Sequence, residues 1–227
     1  MTSGIQLGAY LTKPLIKICC VQSIAEARTA IKAGASAIGL VSAMPSGPGV
    51  IDEALIAEIA SAVPAPVETF LLTAEQIASR IIEQHHICRT TTIQLVDYVE
   101  VAELVKLRQS LPDIRLVQVI HVVDDVSLLE ASSVEPYVDA ILLDSGNVKL
   151  DVKQLGGTGR VHDWAVSRRI VASLKRPVFL AGGLKPENVA EAIAQVQPDG
   201  LDVYSGVRTE GLLDQKKLNA LINAAFG

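Results

Sequence analysis

Aromatic residues are scarce in this sequence: Phe, Tyr and Trp make up 4% of its 227 positions, although 49% are hydrophobic. A core of any size must therefore be packed mainly from Ala, Val, Ile and Leu. Basic charge is not in excess either. Twenty Lys and Arg stand against 25 Asp and Glu, for a formal net charge of −5, and their interspersion excludes a nucleic-acid footprint. The three cysteines, Cys19, Cys20 and Cys88, are an odd number with an adjacent pair. They make a poor disulfide framework and lack the repeated spacing of a zinc site, so no metal and a reducing, cytoplasmic setting are expected. Met1 to Pro14 has no continuous apolar stretch, and no later run reaches ~20 apolar residues without a charge or turn signal. A soluble, unsecreted chain with no membrane partner is the expectation. Nor does any Pro/Ser/Gly-rich or highly charged linker divide two hydrophobic halves, so residues 15–227 read as one domain behind an N-terminal extension, 1–14.

What is present is alternation. A strand is expected over Leu15–Cys20, then a helix from Ser23, where Glu26 completes a capping box and Gly34 stops the apolar face. A second strand, Ala35–Val41, leads into a connection, 42–49, whose glycines and prolines extend neither helix nor strand. Asp52 caps a helix through Ala62, and a strand follows over Pro66–Leu72. Thr73, with Gln76 three residues on, opens a helix ending near His85, before a strand over Ile87–Leu95. A helix from Val99 to Leu111, a strand over Ile114–His121 and a helix from Asp124 or Asp125 toward Val134 continue the pattern. The run from Val138 to Asp144 lacks polar alternation over Ala140–Leu143, as in a parallel strand covered on both faces. After the long connection 145–163 come a helix over Trp164–Leu174, a strand over Pro177–Ala181 and a helix opened by Pro186 and Glu187. A strand over Gly200–Tyr204 and a helix over Asp214–Ala225 close the chain. That makes about eight βα units, the number at which a parallel sheet closes without edges. The expected fold is α/β, a single (β/α)8 TIM barrel.

Closure would turn every strand's C-terminal end toward one opening. Those ends carry Cys19-Cys20, the loop after Val41, Asp144, Gly182-Gly183 and Ser205-Gly206. Asp144 has two readings: an acid delivered to the mouth of a barrel, or a cap for the following turn. The last two glycine-bearing turns fall in the consecutive units where barrels commonly bind phosphate through backbone N–H groups. The plainer reading is that these glycines only permit tight turns.

The chain resembles the phosphoribosylanthranilate isomerase family of tryptophan biosynthesis. The likeness runs through Lys17-Ile-Cys-Cys20, Ala33-Gly-Ala-Ser-Ala-Ile-Gly39, Leu142-Leu-Asp-Ser145, Gly156-Gly-Thr-Gly159 with Asp163-Trp164, Leu180-Ala-Gly-Gly-Leu-Lys-Pro-Glu-Asn-Val189 and Gly200-Leu-Asp-Val-Tyr-Ser-Gly206. It implies an aldose–ketose isomerase that carries out an Amadori rearrangement, with Cys19 as general base and Asp144 as general acid. It also implies that Gly182, Gly183, Ser205 and Gly206 bind the substrate phosphate and that Asp202 approaches the sugar hydroxyls. Asp202 as a cap or salt-bridge partner is the other reading. A small-molecule phosphosugar is the implied partner, with no cofactor and a monomer or homodimer as the assembly. Gly156 to Gly159 resembles a mobile loop over the site.

The departures are specific. Cys20 stands where the family usually has glycine, and Ser46-Gly-Pro-Gly49 lacks the arginine that the family's second loop offers to the anthranilate carboxylate. Arg89 and Arg208 are the candidate replacements. Lys17 reaches Cys19 only if the strand alternates regularly to its end. His85-His86 reads as a helix end, His121 as a strand end near the mouth, and Trp164 as packing. Two rivals follow: a divergent barrel acting on another phosphosugar, and a non-catalytic phosphometabolite-binding protein.

Overall fold

The computed structural model describes residues 13–145 and 162–227. Residues 1–12 of the expected extension, and the glycine loop expected at 156–159, lie outside them. Eight parallel strands close into a barrel in chain order: β1 (Leu15–Ile18), β2 (Ala37–Val41), β3 (Glu68–Thr73), β4 (Thr92–Leu95), β5 (Arg115–His121), β6 (Ala140–Asp144), β7 (Val178–Leu180) and β8 (Gly200–Val203). A small antiparallel hairpin follows, β9 (Arg208–Thr209) and β10 (Leu212–Leu213). The helices are α1 (Ile24–Ala33), α2 (Glu53–Ala62), α3 (Ala78–Cys88), α4 (Val101–Ser110), α5 (Val126–Val134), α6 (Trp164–Ser173), α7 (Val189–Val196) and α8 (Gln215–Phe226). Among the described residues, no helix is long and apolar enough to cross a membrane.

Strand alternation sorts the apolar residues into two layers. Ile16, Ile18, Ile38, Leu40, Leu71, Ile93 and Leu95 pack outward beneath the helices. Cys19, Ala37, Phe70, Leu72, Val117, Val119, Leu142 and Phe179 fill the interior. Because neighbouring residues on a strand face opposite ways, one strand feeds both layers, which is why β6 shows no polar alternation. The rings of Phe70 and Phe179 meet edge to face, 6.2 Å between centroids. Gly200 leaves the room: a β-carbon there would sit 2.4 Å from the Phe179 ring.

Local signals set most element ends. Ser23 accepts from Glu26 N at 3.1 Å and Gly34 closes α1 with φ 109°. The return arm of the expected capping box shifts by one residue, with Gln22 N donating to the Glu26 carboxylate at 3.1 Å. Asp52, Asp163 and Asp214 accept from the first turns of α2, α6 and α8.

Several boundaries differ from the sequence reading, three of them by a change of element. Thr73 does not open α3: it is the buried end of β3, and its hydroxyl donates to Gln84. The first N–H of α3, at Ala78, donates instead to Glu103 of the next helix, at 2.8 Å. The strand expected from Ile87 begins only at Thr92, because α3 continues to Cys88 and ends on Arg89 in the left-handed conformation. Thr91 and Thr69 then exchange side-chain and backbone hydrogen bonds of 2.9 to 3.1 Å across β3 and β4, which explains the threonines that interrupt the apolar run. Pro186 and Glu187 sit in a turn, and α7 begins at Val189.

Candidate active site

At the C-terminal ends of the strands lies a cleft of about 690 Å³, measured with the open solvent at its mouth. Cys19, Cys20, Asp144, Gly182, Gly183, Asp202 and Ser205 all line it. Val41, Met44, Leu72, Val96 and Val119 make its apolar wall. Cys19 and Asp144 come from β1 and β6, which β7 and β8 separate in the barrel order.

On the β1 side, Leu15, Lys17 and Cys19 share the inward face. Lys17 is completely buried, with its ammonium 2.8 Å from Asp202 Oδ1 and 3.5 Å from Cys19 Sγ. The register places Lys17 directly beside Asp202 on β8. Gly39 on β2 makes this possible, since a β-carbon there would meet Lys17 Nζ at 3.0 Å and Cys19 Sγ at 3.1 Å. Burial works against the ammonium, but Asp202 and then Cys19 outweigh it, and Lys17 is held above its ordinary range. Asp202 thus both lines the cleft and serves as a salt-bridge partner.

β1 ends at Ile18, earlier than expected, and Cys19-Cys20 lead out of it as irregular chain still tied to the barrel, with Cys19 N donating to Val203 O at 2.9 Å. Cys20 has φ 58°, a left-handed backbone that costs a non-glycine residue about 1 kcal/mol. This is the physical reason a glycine suits that position. The Cys20 thiol donates to Cys19 Sγ at 3.7 Å. That hydrogen bond, with a smaller contribution from Lys17, overcomes burial and the Asp202 charge and lowers the Cys19 thiol below its usual range. Cys20 goes well above, because it keeps the shared proton and is itself buried.

Arg208 supports this segment from beneath. Its guanidinium donates to the carbonyls of Cys20 (2.6 Å), Gly211 (2.8 Å) and Cys19 (3.3 Å), and it pairs with Glu26 at 2.9 Å. Glu26 also accepts from Leu213 N at 3.1 Å. Burial alone would raise Glu26, yet these donors hold it below its ordinary value. Arg208 is committed to the backbone and does not line the cleft. Arg89 is the exposed C-cap of α3, at the end where the strands begin. Neither arginine replaces the one absent from the loop after β2, which contributes Met44, Gly47 and Pro48 to the cleft.

Asp144 closes β6, 8% exposed, in register with His121 of β5. Burial dominates and raises its carboxyl above the ordinary range, against the Ser145 N–H that donates to Oδ1 at 2.7 Å and the neighbouring His121 ring. His121 sends Nε2–H to the Val96 carbonyl at 3.0 Å, the tautomer being assigned from that acceptor. Burial thus moves Asp144 toward a proton donor while the cysteine pair moves Cys19 toward a proton acceptor. His85 bonds the Thr90 carbonyl at 2.9 Å and stays at a helix end, as expected.

The glycine turns lie beside these groups. Gly182 and Gly183 take φ 85° and 64°, conformations other residues rarely adopt. Asn188, which the sequence reading passed over, steadies them: its amide donates to the Gly183 carbonyl at 3.0 Å and its oxygen accepts from Lys185 N at 2.9 Å. Ser205–Val207 form a single 3₁₀ turn, whose first N–H groups have no partner within it. Gly206 stands just behind the cleft rather than in its lining, where a β-carbon would lie 2.0 Å from the Leu184 carbonyl. Its bare α-carbon lets the turns after β7 and β8 touch.

One mouth of a closed parallel barrel thus gathers a thiol, a carboxyl and two glycine turns. The N-(5'-phosphoribosyl)anthranilate (PRA) isomerase family model matches residues 16–224. N-(5'-phosphoribosyl)anthranilate isomerase 2 of Methanosarcina mazei is 35% identical over 212 residues, 92% of this chain and 93% of that protein. The isomerase of Natronomonas pharaonis is 34% identical over 214 residues, 93% and 98% of the two chains. The solved phosphoribosyl anthranilate isomerase of Thermococcus kodakaraensis is 26% identical, with a TM-score of 0.77 over 94% of this chain and 99% of that one. The chain belongs to the phosphoribosylanthranilate isomerase family.

Proposed function

We propose that this chain converts N-(5-phosphoribosyl)anthranilate to its aminoketose in tryptophan biosynthesis, with Asp144 as general acid and Cys19 as general base. The observation that carries the assignment is one cleft, in a chain of this family, lined by the Cys19 thiol from the end of β1 and the Asp144 carboxyl of β6; burial raising the carboxyl and the neighbouring thiol lowering Cys19 agree with it. The chemistry needs that pair. Asp144 gives its proton to the ring oxygen, the C1–O bond breaks, and the nitrogen lone pair forms an iminium at C1. Cys19 thiolate then takes the C2 proton, leaving an enolamine that tautomerises to the ketone. A base of lowered pKa and an acid of raised pKa increase the fraction of enzyme holding both productive forms.

The phosphate end of the substrate fits the backbone N–H groups of Gly182, Gly183, Ser205 and Gly206, and Asp202 faces the sugar hydroxyls. The apolar wall of Val41, Met44, Leu72 and Val96 suits an aromatic ring. The direct test is turnover of phosphoribosylanthranilate by purified protein, alongside growth of a tryptophan auxotroph lacking this isomerase. Failure of both sinks the assignment.

The phosphate assignment has its own test. Gly206→Ala drives a methyl group into the Leu184 carbonyl and forces the two turns apart. KM should rise about tenfold or more, a cost of ~1.4 kcal/mol in binding, with inhibition by inorganic phosphate weakened in parallel and kcat little changed. An unaltered KM together with unaltered phosphate inhibition would place the phosphate elsewhere.

A further inference from the structure

The acid–base scheme leaves Cys20 without a role. We propose that Cys20 is a positioning residue that holds the Cys19 base in its thiolate form by donating its S–H to it. The inference rests on the assignment of Cys19 as the base.

Three observations carry it. The Cys20 thiol points at Cys19 Sγ, 3.7 Å away, and among the described residues this is the only acceptor it reaches. Its backbone is left-handed at φ 58°, so a side chain is kept where the backbone itself favours glycine. Across from it stands Gly49, where a β-carbon would fall 2.5 Å from Cys20 Cβ. The space Cys20 needs is thus provided by a glycine opposite, and the two positions read as a matched pair.

The surrounding charges leave this donor a decisive part. On β1, Lys17 favours the thiolate from 3.5 Å, but its ammonium is paired with Asp202 of β8, whose carboxylate disfavours it. Tyr204 follows β8 and lines the cleft. Arg208, paired with Glu26, holds the Cys19 and Cys20 carbonyls. Asp144 faces the cleft from β6, and β2 sets Gly39 against the sulfur. The two thiols therefore ionise in order: Cys19 first, with Cys20 pushed up and kept protonated as the donor.

The test is iodoacetamide alkylation of the free protein as a function of pH, with the rate at Cys19 resolved by mass spectrometry, beside the pH profile of kcat/KM. Wild-type Cys19 should titrate below the ~8.5 of an unperturbed thiol. Cys20→Ala and Cys20→Gly should raise the midpoint by about one unit, shifting the acidic limb of kcat/KM equally and lowering turnover at pH 7 about tenfold. Cys20→Ser, which keeps a donor, should restore most of both. Glycine suits the backbone here, so that variant keeps its conformation. Midpoints for Ala and Gly that coincide with wild type overturn the proposal. The alkylation readout needs no turnover, so it judges Cys20 even if the wild-type protein proves inactive on phosphoribosylanthranilate and the isomerase reading falls.

Discussion

Cys19→Ala should lower kcat on phosphoribosylanthranilate by about 10³-fold, the usual worth of a positioned general base, and leave the barrel folded. Cys19 is a buried member of the interior layer, so losing its sulfur costs some packing, but the space it leaves opens onto the cleft and not into the closed core. Cys19→Ser is the sharper variant. It is nearly isosteric, but a hydroxyl holds its proton far too tightly to serve as a base near neutrality, so the loss should be as large as with alanine. KM and phosphate inhibition should stay within a few-fold, because the glycine turns are untouched. Single-turnover kinetics with both variants separate this from a binding defect. Activity within tenfold of wild type in either would remove Cys19 from the reaction.

Asp144→Asn should cost a comparable factor, about 10³, because an amide cannot protonate the ring oxygen. The substitution also has a stability signature of fixed sign. Burial raises the Asp144 carboxyl in the folded protein. Its contribution to stability is therefore complete below the unfolded carboxyl pKa and is lost as pH rises through the folded value. The asparagine variant carries no such titration, so it should be more stable than wild type at neutral pH, with the gain disappearing in acid. Chemical denaturation at two pH values measures this. In the wild type, kcat/KM should rise as Cys19 ionises and fall as Asp144 does, and the asparagine variant should lose the limb that belongs to Asp144. A variant that is inactive but no more stable at neutral pH would mean the carboxyl is not held protonated by burial. This trade of stability for a proton donor is typical of functional sites.

Most of the fold was legible because its signals are local. Ser23, Gly34, Asp52 and Asp214 mark element ends that the structure reproduces, and the count of βα units implied closure. One misplaced boundary was set by a distant partner. α3 is capped by Glu103, a residue of the following helix, which no short window of sequence can reveal. The hairpin of β9 and β10 has strands of two residues, too short for any periodicity.

The site divides the same way. Cys19, Asp144 and the glycine turns were visible as strand ends with chemistry. Lys17 was not assignable until the register set it beside Asp202. The glycine usual at the position of Cys20 is itself a sign of the left-handed backbone found there. Arg208, considered for the substrate carboxylate, turned out to hold the backbone beneath Cys19, a role that depends on where β9 packs. Asn188 could have been found from its place just before a helix, where Asn commonly caps.

The tie between Arg208, Glu26 and the carbonyls of Cys19 and Cys20 joins the first βα unit to the last, across the seam where β1 meets β8. Lys17 and Asp202 meet across the same seam. A nascent chain that has made only its first seven units would possess the sulfur but neither the guanidinium that fixes its backbone nor the carboxylate that anchors its lysine. On the proposed assignment, the basicity of Cys19 is thus acquired late, as a property of the finished ring rather than of the first strand's end that bears the thiol.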